Sequence, residues 1–325
     1  MNTDDHTTRT LLVVNGTLIV TRGSTSNVDL ATETVSSGRS QIKSFDLGKV
    51  TADGYDFNTE GVLVGWGLRN DVGIAAHPAT GGLYSVENSV DELERDGQDI
   101  HENNPGEELN YLGTVSKPSG RNYGYPRCFA AWNVSEIPNS NLAVGQQFAM
   151  GTPNNTINDT YCAEQEAPRL TFQAHMAPLD ILFNNSGTEA WVTFHGSWDR
   201  TNPSGYKVSV IQFANGEPVA PSNSTTAATD IFANADNSRC PGQCFRPVGL
   251  ALDNQGRLFV SSDATGELYM IQREQTASGA APSTTTSSGG APAASPTSKQ
   301  SSADRHWTNN MGGLIIALAA FFIIY

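Results

Sequence analysis

Four stretches of this chain alternate in the same way. RTLLVVNGTLIVTRG (9–23), RNDVGIAAHPATGGLYSVEN (69–88), HMAPLDILFNNSGTEAWVTFHG (175–196) and RPVGLALDNQGRLFVSSD (246–263) share one order of polar and apolar positions. Each runs from a polar group through an apolar strand to a turn with Asn or Gly, then through a second apolar strand to a closing polar group. Asn and Gly tolerate the positive φ that tight turns need, so each stretch predicts a β-hairpin. Long helical periodicities are scarce. The hairpins recur every 60–70 residues or so, with one longer gap, which predicts an all-β chain with one hairpin per propeller blade.

The polar ends add a functional reading. His6 and Arg9, Arg69 and Asn70, His175, and Arg246 precede the first strands; Asn88, His195 and Asp263 follow the second. Both ends of a hairpin lie at one edge of its sheet, and in a radial array those edges converge on one mouth of the central channel. Taken singly, each residue reads as a loop or capping group, and His6 as a solvated terminal residue. The same place filled four times by His or Arg reads as a polar, cationic pocket.

Between the hairpins lie an acidic insert at 91–107 (DELERDGQDIHENNPGE) and a longer one at 133–168, expected to be a glycosylated loop. No GxGxxG follows a strand, and no P-loop, HExxH or GxSxG occurs. Nicotinamide, nucleoside-triphosphate, zincin and α/β-hydrolase chemistry therefore lack support.

Composition sharpens the class. Of 325 residues 38% are hydrophobic, enough for a β-rich core, and Gly 31 and Pro 16 suit many turns. The net charge of −14 argues against nucleic acid as a partner, because phosphate binding needs a cationic surface. Asn-X-Ser/Thr sequons at Asn15, Asn133, Asn154, Asn158, Asn184 and Asn223 point to a secreted glycoprotein. The four cysteines fit that compartment as two disulfides, Cys128–Cys162 and Cys240–Cys244. The second ring is tight, and free thiols are the other reading there.

The two ends carry their own signals. Polar NTDDHTT, not a leader, precedes the first strand pattern; for a secreted chain this reads as a start downstream of the true one. Residues 275–303 form a Ser/Thr/Pro/Gly-rich linker expected to be disordered. Residues 304–325 hold a polar spacer and the apolar LIIALAAFFIIY, too short to span a bilayer. This is the arrangement of a GPI-anchor signal, with attachment at Ser301, Ser302 or Ala303; a tail anchor is the alternative. The expected organisation is a propeller over 1–274, then linker and tail, displayed outside the cell with the lipid anchor as its only membrane contact.

The motifs HTTRT, GLRN before DVGIAAHP, GGLYSVENS, GRNYGYP, AHMAPLD, FHGSWDR with GYKVSV, and CFRPVGLALDNQGRLFVSSD occur in this order. On them the chain resembles the pyrroloquinoline-quinone (PQQ)-dependent sugar dehydrogenases over residues 4–272, most of all the fungal pyranose dehydrogenase branch. The resemblance implies a six-bladed propeller, of which this chain would lack the first blade. It implies oxidation of a sugar's anomeric hydroxyl to a lactone with PQQ and Ca²⁺. Electrons would pass to an acceptor such as a b-type cytochrome, here a separate protein.

It also implies roles. His6 matches the general base, since imidazole suits proton abstraction near neutral pH. Arg69 matches the arginine near the quinone oxygen, and Asn70 a cofactor hydrogen-bonder. Arg246 would hold a cofactor carboxylate, with Arg9 and Arg200 as weaker candidates. His195 and Trp198 stand where the bacterial glucose enzyme has a lysine; Trp198 would stack on quinone or sugar, or serve the fold alone. His175 falls near a cofactor-contacting position. Main-chain carbonyls of Asn88-Ser89-Val90, above all Ser89 and Val90, would ligate Ca²⁺. Asp91, Glu107 and Glu108 read as solvated acids or as a second calcium site. The aspartate that supports the base in the glucose enzyme has no counterpart, leaving Arg22-Gly23-Ser24, Asn27 and Asp29 to supply a partner. A non-catalytic cell-surface propeller binding glycan or protein, and a calcium-dependent lactonase, are the competing readings.

Overall fold

The computed structural model describes residues 6–273. The linker and tail assigned above lie outside the described residues. Strong alternation of apolar and polar positions makes each of the four expected hairpins the inner pair of strands of an antiparallel sheet.

The first sheet runs Leu11–Val14, Thr17–Arg22, Gln41–Asp46, Val62–Trp66, in that spatial order. The second runs Asp71–Ala76, Gly82–Glu87, Glu107–Thr114, whose outer side is shared by Lys117–Pro118 and Leu170–Phe172. The third is built from Pro178–Phe183, Glu189–Phe194 and Lys207–Ala214, flanked by Glu217–Pro218 and Ala228–Ala233. The fourth comprises Pro247–Leu252, Leu258–Ser262 and Leu268–Ile271. The first strand of each sheet packs beside the first strand of the next, so the sheets form four propeller-like blades.

Period-2 alternation gives every blade two apolar faces, and neighbours bury them against each other. Ile19, Ile42 and Val64 of blade one meet Ile74, Leu83 and Leu112 of blade two. Blades two and three enclose Tyr84, Phe183 and Phe213, with ring centroids 4.9–5.8 Å apart and edge-to-face geometry. Trp191, Val208, Leu258 and Val260 close the third interface. The outward faces of the first and fourth blades stay exposed, at Leu11 (64%), Val13 (61%), Leu268 (77%) and Met270 (51%).

The two inserts pack together, and the long loop expected over 133–168 contains a strand, Gln147–Ala149, and a short helix, Asp159–Cys162. Leu93 and Ile100 from the first, with Val90 just before it, pack with Tyr125, Phe129, Ile137 and Phe148 around the second into a shared apolar cluster. Arg95 grips Asp159 with two hydrogen bonds of 2.7 and 2.9 Å. The Cys128–Cys162 disulfide forms across the second insert, and Cys240–Cys244 closes the CPGQC loop, both as expected.

Close approach of blades two and three requires Gly73. A Cβ there would lie 2.7 Å from Val86 Cγ2 and 2.8 Å from Asp180 Cα. Gly73→Ala should therefore destabilise the fold by about 1–3 kcal/mol through overpacking. The effect is read as a lower urea midpoint at unchanged slope. A wild-type midpoint would show that the inner strands separate freely.

Candidate active site

At the edge where the inner strands begin, neighbouring blades are tied by polar groups. The Ser24 N–H donates to Arg69 O at 2.8 Å between blades one and two. Asn88 Nδ2 donates to Pro178 O at 2.5 Å between two and three. His195 Nε2 lies 2.9 Å from Asp263 Oδ1, and Arg246 donates to the carbonyls of His195 and Gly196 at 3.2 and 2.7 Å, joining three and four.

Arg69 is the hub of this edge. Its guanidinium is buried, at 4% exposure, so its five N–H groups need acceptors. They find Asn27 O and Oδ1, Asn88 O, Ser89 O and Asp91 Oδ2, at 2.5–3.2 Å. Its backbone N–H donates to Glu87 Oε1 at 2.5 Å. Gly23 fits between the side chains of His6 and Asn70; a Cβ there would come within 2.6 Å of Asn70 Oδ1 and 2.8 Å of His6 Cβ. The missing side chain at Gly23 is what lets the His6 and Asn70 side chains approach there beside the Arg69 backbone carbonyl. His6 Nδ1 lies 2.8 Å from Ser24 Oγ. Burial, followed by the Arg69 charge, pushes the His6 imidazole down to about 4, so the ring is neutral near pH 7. Arg9 donates to the carbonyls of His6 and Thr8, both at 2.7 Å, and shapes the segment that carries the histidine.

A second group adjoins Arg69. Asp91, His175 and Asp199 offer ligand atoms within 4.8 Å of one another. His175 Nδ1 stands 3.6 Å from Asp91 Oδ1 and 3.9 Å from Asp199 Oδ2, beyond hydrogen-bond length. Its Nε2 meets His101 O at 2.6 Å. Burial disfavours both charges, yet His175 and Arg69 hold the Asp91 carboxyl below its usual range, and Asp91 and Glu107 raise the His175 imidazole. His175 itself takes a left-handed φ of 60°.

The other expected residues are placed as follows. Trp198 projects into solvent at 66% exposure. Arg200 is held by Glu102 O and Asn103 Oδ1 of the first insert. The Ser89 carbonyl faces Arg69, while the Val90 side chain is buried in the insert cluster. Asn27 bonds Arg69 and Asp91, and Asp29 pairs with Arg39, while the hydrogen-bond partner of the His6 ring is Ser24.

The chain as a whole matches known proteins. The family model described as TrAA12-like matches residues 1–274. The chain belongs to the TrAA12-like family. A PQQ-dependent sugar dehydrogenase of Hypocrea jecorina (strain QM6a) is 46% identical over 84% of this chain and 64% of its own length. A PQQ-dependent pyranose dehydrogenase of Coprinopsis cinerea is 39% identical over 84% of this chain and 40% of its own length. The chain thus spans less than two thirds of either relative. The calcium structure of the Trichoderma reesei AA12 enzyme superposes with a TM-score of 0.81 at 47% identity, covering 84% of this chain and 70% of that one. The holo PQQ domain of the C. cinerea pyranose dehydrogenase gives 0.79 at 38%, covering 84% and 71%.

Glu107 and Glu108 correct the sequence reading of solvated acids. Both are buried. Glu107 accepts the Ser89 N–H at 2.7 Å and the Ala177 N–H at 2.9 Å, bracing mouth loops of two blades. Asp71, Glu87 and Glu108 are paired across three adjacent strands. Burial raises all three, Asp71 to about 7 and Glu108 to about 8, and mutual repulsion adds to the rise for Glu87 and Glu108. Acids opposite one another in register would have signalled this layer in the sequence, had the strand pairing been known. Asp199, inside FHGSWDR, left no such trace, because its partners are His175, some twenty residues back, and Glu92 and His101 of the first insert.

Two outcomes follow. Glu107→Gln sets an amide N–H against a backbone N–H and should cost about 1–3 kcal/mol, seen as a lower denaturation midpoint; an unchanged midpoint would dismiss the brace. The raised carboxyls bind protons more tightly in the folded state. Their stabilisation is therefore complete below the unfolded carboxyl pKa of about 4 and is lost as pH climbs through 7 and 8. Melting temperature should fall between pH 5 and 8.5, and Asp71→Asn should flatten that slope; equal slopes would refute the assignment.

Proposed function

We propose that this chain carries the site of a PQQ- and Ca²⁺-dependent sugar dehydrogenase that oxidises the anomeric hydroxyl of a pyranose to a lactone. The meeting of His6, Arg69 and Asn70 across Gly23 carries this reading. It joins a neutral imidazole to a fixed guanidinium in a chain 46% identical to a named sugar dehydrogenase. When bound, the quinone would supply the hydride acceptor and the calcium would polarise it.

The residues present fit both groups. Carbonyl oxygens of Asn88 and Ser89 and a carboxylate of Asp91 already converge on one cation, the Arg69 guanidinium. With Asp199, whose carboxylate lies within 4.8 Å of Asp91, they offer the oxygen-rich set a hard metal ion takes, and the Val90 carbonyl is the further ligand proposed. Arg246 and Arg9 supply positive charge for a polycarboxylate, His175 and His195 line the same edge, and Asn70 orients the ligand. His6 takes the hydroxyl proton. Arg69, its donors engaged by the protein, stabilises developing negative charge through the field of its fixed cation. Trp198 offers the exposed aromatic face that a sugar ring can cover.

Finer points belong to the same proposal. In a six-bladed array, blades beyond these four, the array's own first blade among them, would cover the exposed faces of blades one and four. Six sequons and two disulfides support an extracellular glycoprotein. The terminal apolar run supports a GPI anchor, and a b-type cytochrome is the proposed electron acceptor.

The test is reconstitution with PQQ and Ca²⁺ and assay by dye reduction across a sugar panel. His6→Ala should lower kcat by about 10²–10⁴-fold while leaving quinone binding intact. Arg246→Ala should weaken quinone binding. Full activity in His6→Ala would overturn the base assignment, and no turnover with any sugar in the wild type would overturn the reading.

A further inference from the structure

The hydrogen bonds around His6 determine which of its nitrogens carries the proton. Ser24 Oγ lies 2.8 Å from His6 Nδ1 and 2.8 Å from the Ser26 carbonyl oxygen. A hydroxyl has one proton, and a carbonyl can only accept, so the Ser24 proton goes to Ser26. Toward His6, Ser24 is then an acceptor. Nδ1 must donate to it, and the lone pair of the neutral ring is left on Nε2.

Ser24 is well placed to hold that arrangement. It is fully buried, and its N–H is anchored on Arg69 O at 2.8 Å. Gly23 beside it brings His6 against Asn70, and its own carbonyl accepts the Ser40 N–H at 3.3 Å. The charges facing the imidazole are Arg69 and Arg9 on the positive side and Asp91 on the negative. No carboxylate bonds His6 directly among the described residues.

We propose that Ser24 is the positioning residue for His6: it fixes the Nδ1–H tautomer and so presents the Nε2 lone pair to the sugar hydroxyl. The catalytic consequence rests on the dehydrogenase reading; the tautomer does not. In the reaction the substrate O–H proton would pass to Nε2, and the quinone, when bound, would supply the acceptor for the hydride that carries away the C–H electron pair. The ring becomes an imidazolium whose Nδ1–H still rests on Ser24 Oγ. A serine orients the ring as a carboxylate would, but it adds no countercharge for the imidazolium.

The tautomer is tested on the ¹⁵N-labelled full chain, without cofactor, by long-range ¹H–¹⁵N correlation near pH 7. Wild type should show Nδ1 protonated and Nε2 bare. Ser24→Ala should lose that preference, and Ser24→Thr, which keeps the hydroxyl, should restore it. A bare Nδ1 in the wild type, or an unchanged tautomer in Ser24→Ala, overturns the assignment.

On the enzyme loaded with PQQ and Ca²⁺, Ser24→Ala should lower kcat about 10-fold or more with little change in KM, and Ser24→Asp should move the acid-side limb of the pH profile upward. Normal wild-type turnover with no effect of either substitution overturns the positioning role and leaves the dehydrogenase reading standing. The expected tautomer in a wild-type chain that oxidises no sugar overturns that reading and leaves the tautomer assignment in place.

Discussion

A buried guanidinium must find an acceptor for every N–H it carries, and at Arg69 that requirement organises the mouth of the array. The acceptors come from the loop after the first hairpin and from the loop after the second. Meeting them draws Asn27, Asn88, Ser89 and Asp91 into one small volume. The same residue offers its carbonyl to Ser24 and its N–H to Glu87. His6 is held through Ser24, so the position of the candidate base depends on the residue that satisfies Arg69's carbonyl. Loss of this cation would leave several oxygen acceptors without a donor, at a cost of several kcal/mol rather than the fraction expected for an exposed ion pair.

The chemistry and the packing impose opposite demands on the same blade. One face of blade two is apolar and buries Tyr84, Val86 and Leu109 against blade three. The other carries Asp71, Glu87 and Glu108 near the mouth and Ile74, Leu83 and Leu112 deeper in. Because a strand alternates with period two, Glu87 and Val86 are obliged to face opposite ways. The acids are tolerated where they receive backbone and side-chain N–H groups, as Glu87 does from Arg69 and Asn110, and where they can stay protonated. Glu107, at the start of the neighbouring strand, accepts two backbone N–H groups from different blades. The mouth is therefore rigid for a reason that can be traced to particular acceptors.

Much of this was legible in the chain. All four hairpins lie where the alternation of apolar and polar residues places them, and the residues at their ends do converge, because the two ends of a hairpin share one edge of a sheet. Both disulfides were legible from cysteine spacing and compartment. The packing of the two inserts was not. Their apolar residues, such as Leu93, Ile100 and Phe148, are spread singly among polar neighbours, and only their meeting makes a cluster. Asp199 was hidden for a related reason, since it meets Asp91 from a distant part of the chain, whereas Ser24 stood among the candidate partners of His6 and the fold singled it out.

The sequence by itself determined the architecture, the polar edge and the identity of the groups gathered there, since those follow from local periodicity, turn chemistry and motif order. Tertiary structure alone decided what the groups do to one another. It set the neutral imidazole of His6 against the charge of Arg69 and gave it Ser24 in place of a carboxylate. It also turned Glu107 and Glu108 from surface acids into buried ones. Burial, proximity and the sharing of a single proton between two acceptors are properties of distances between residues far apart in the chain, and no pattern along the sequence encodes a distance.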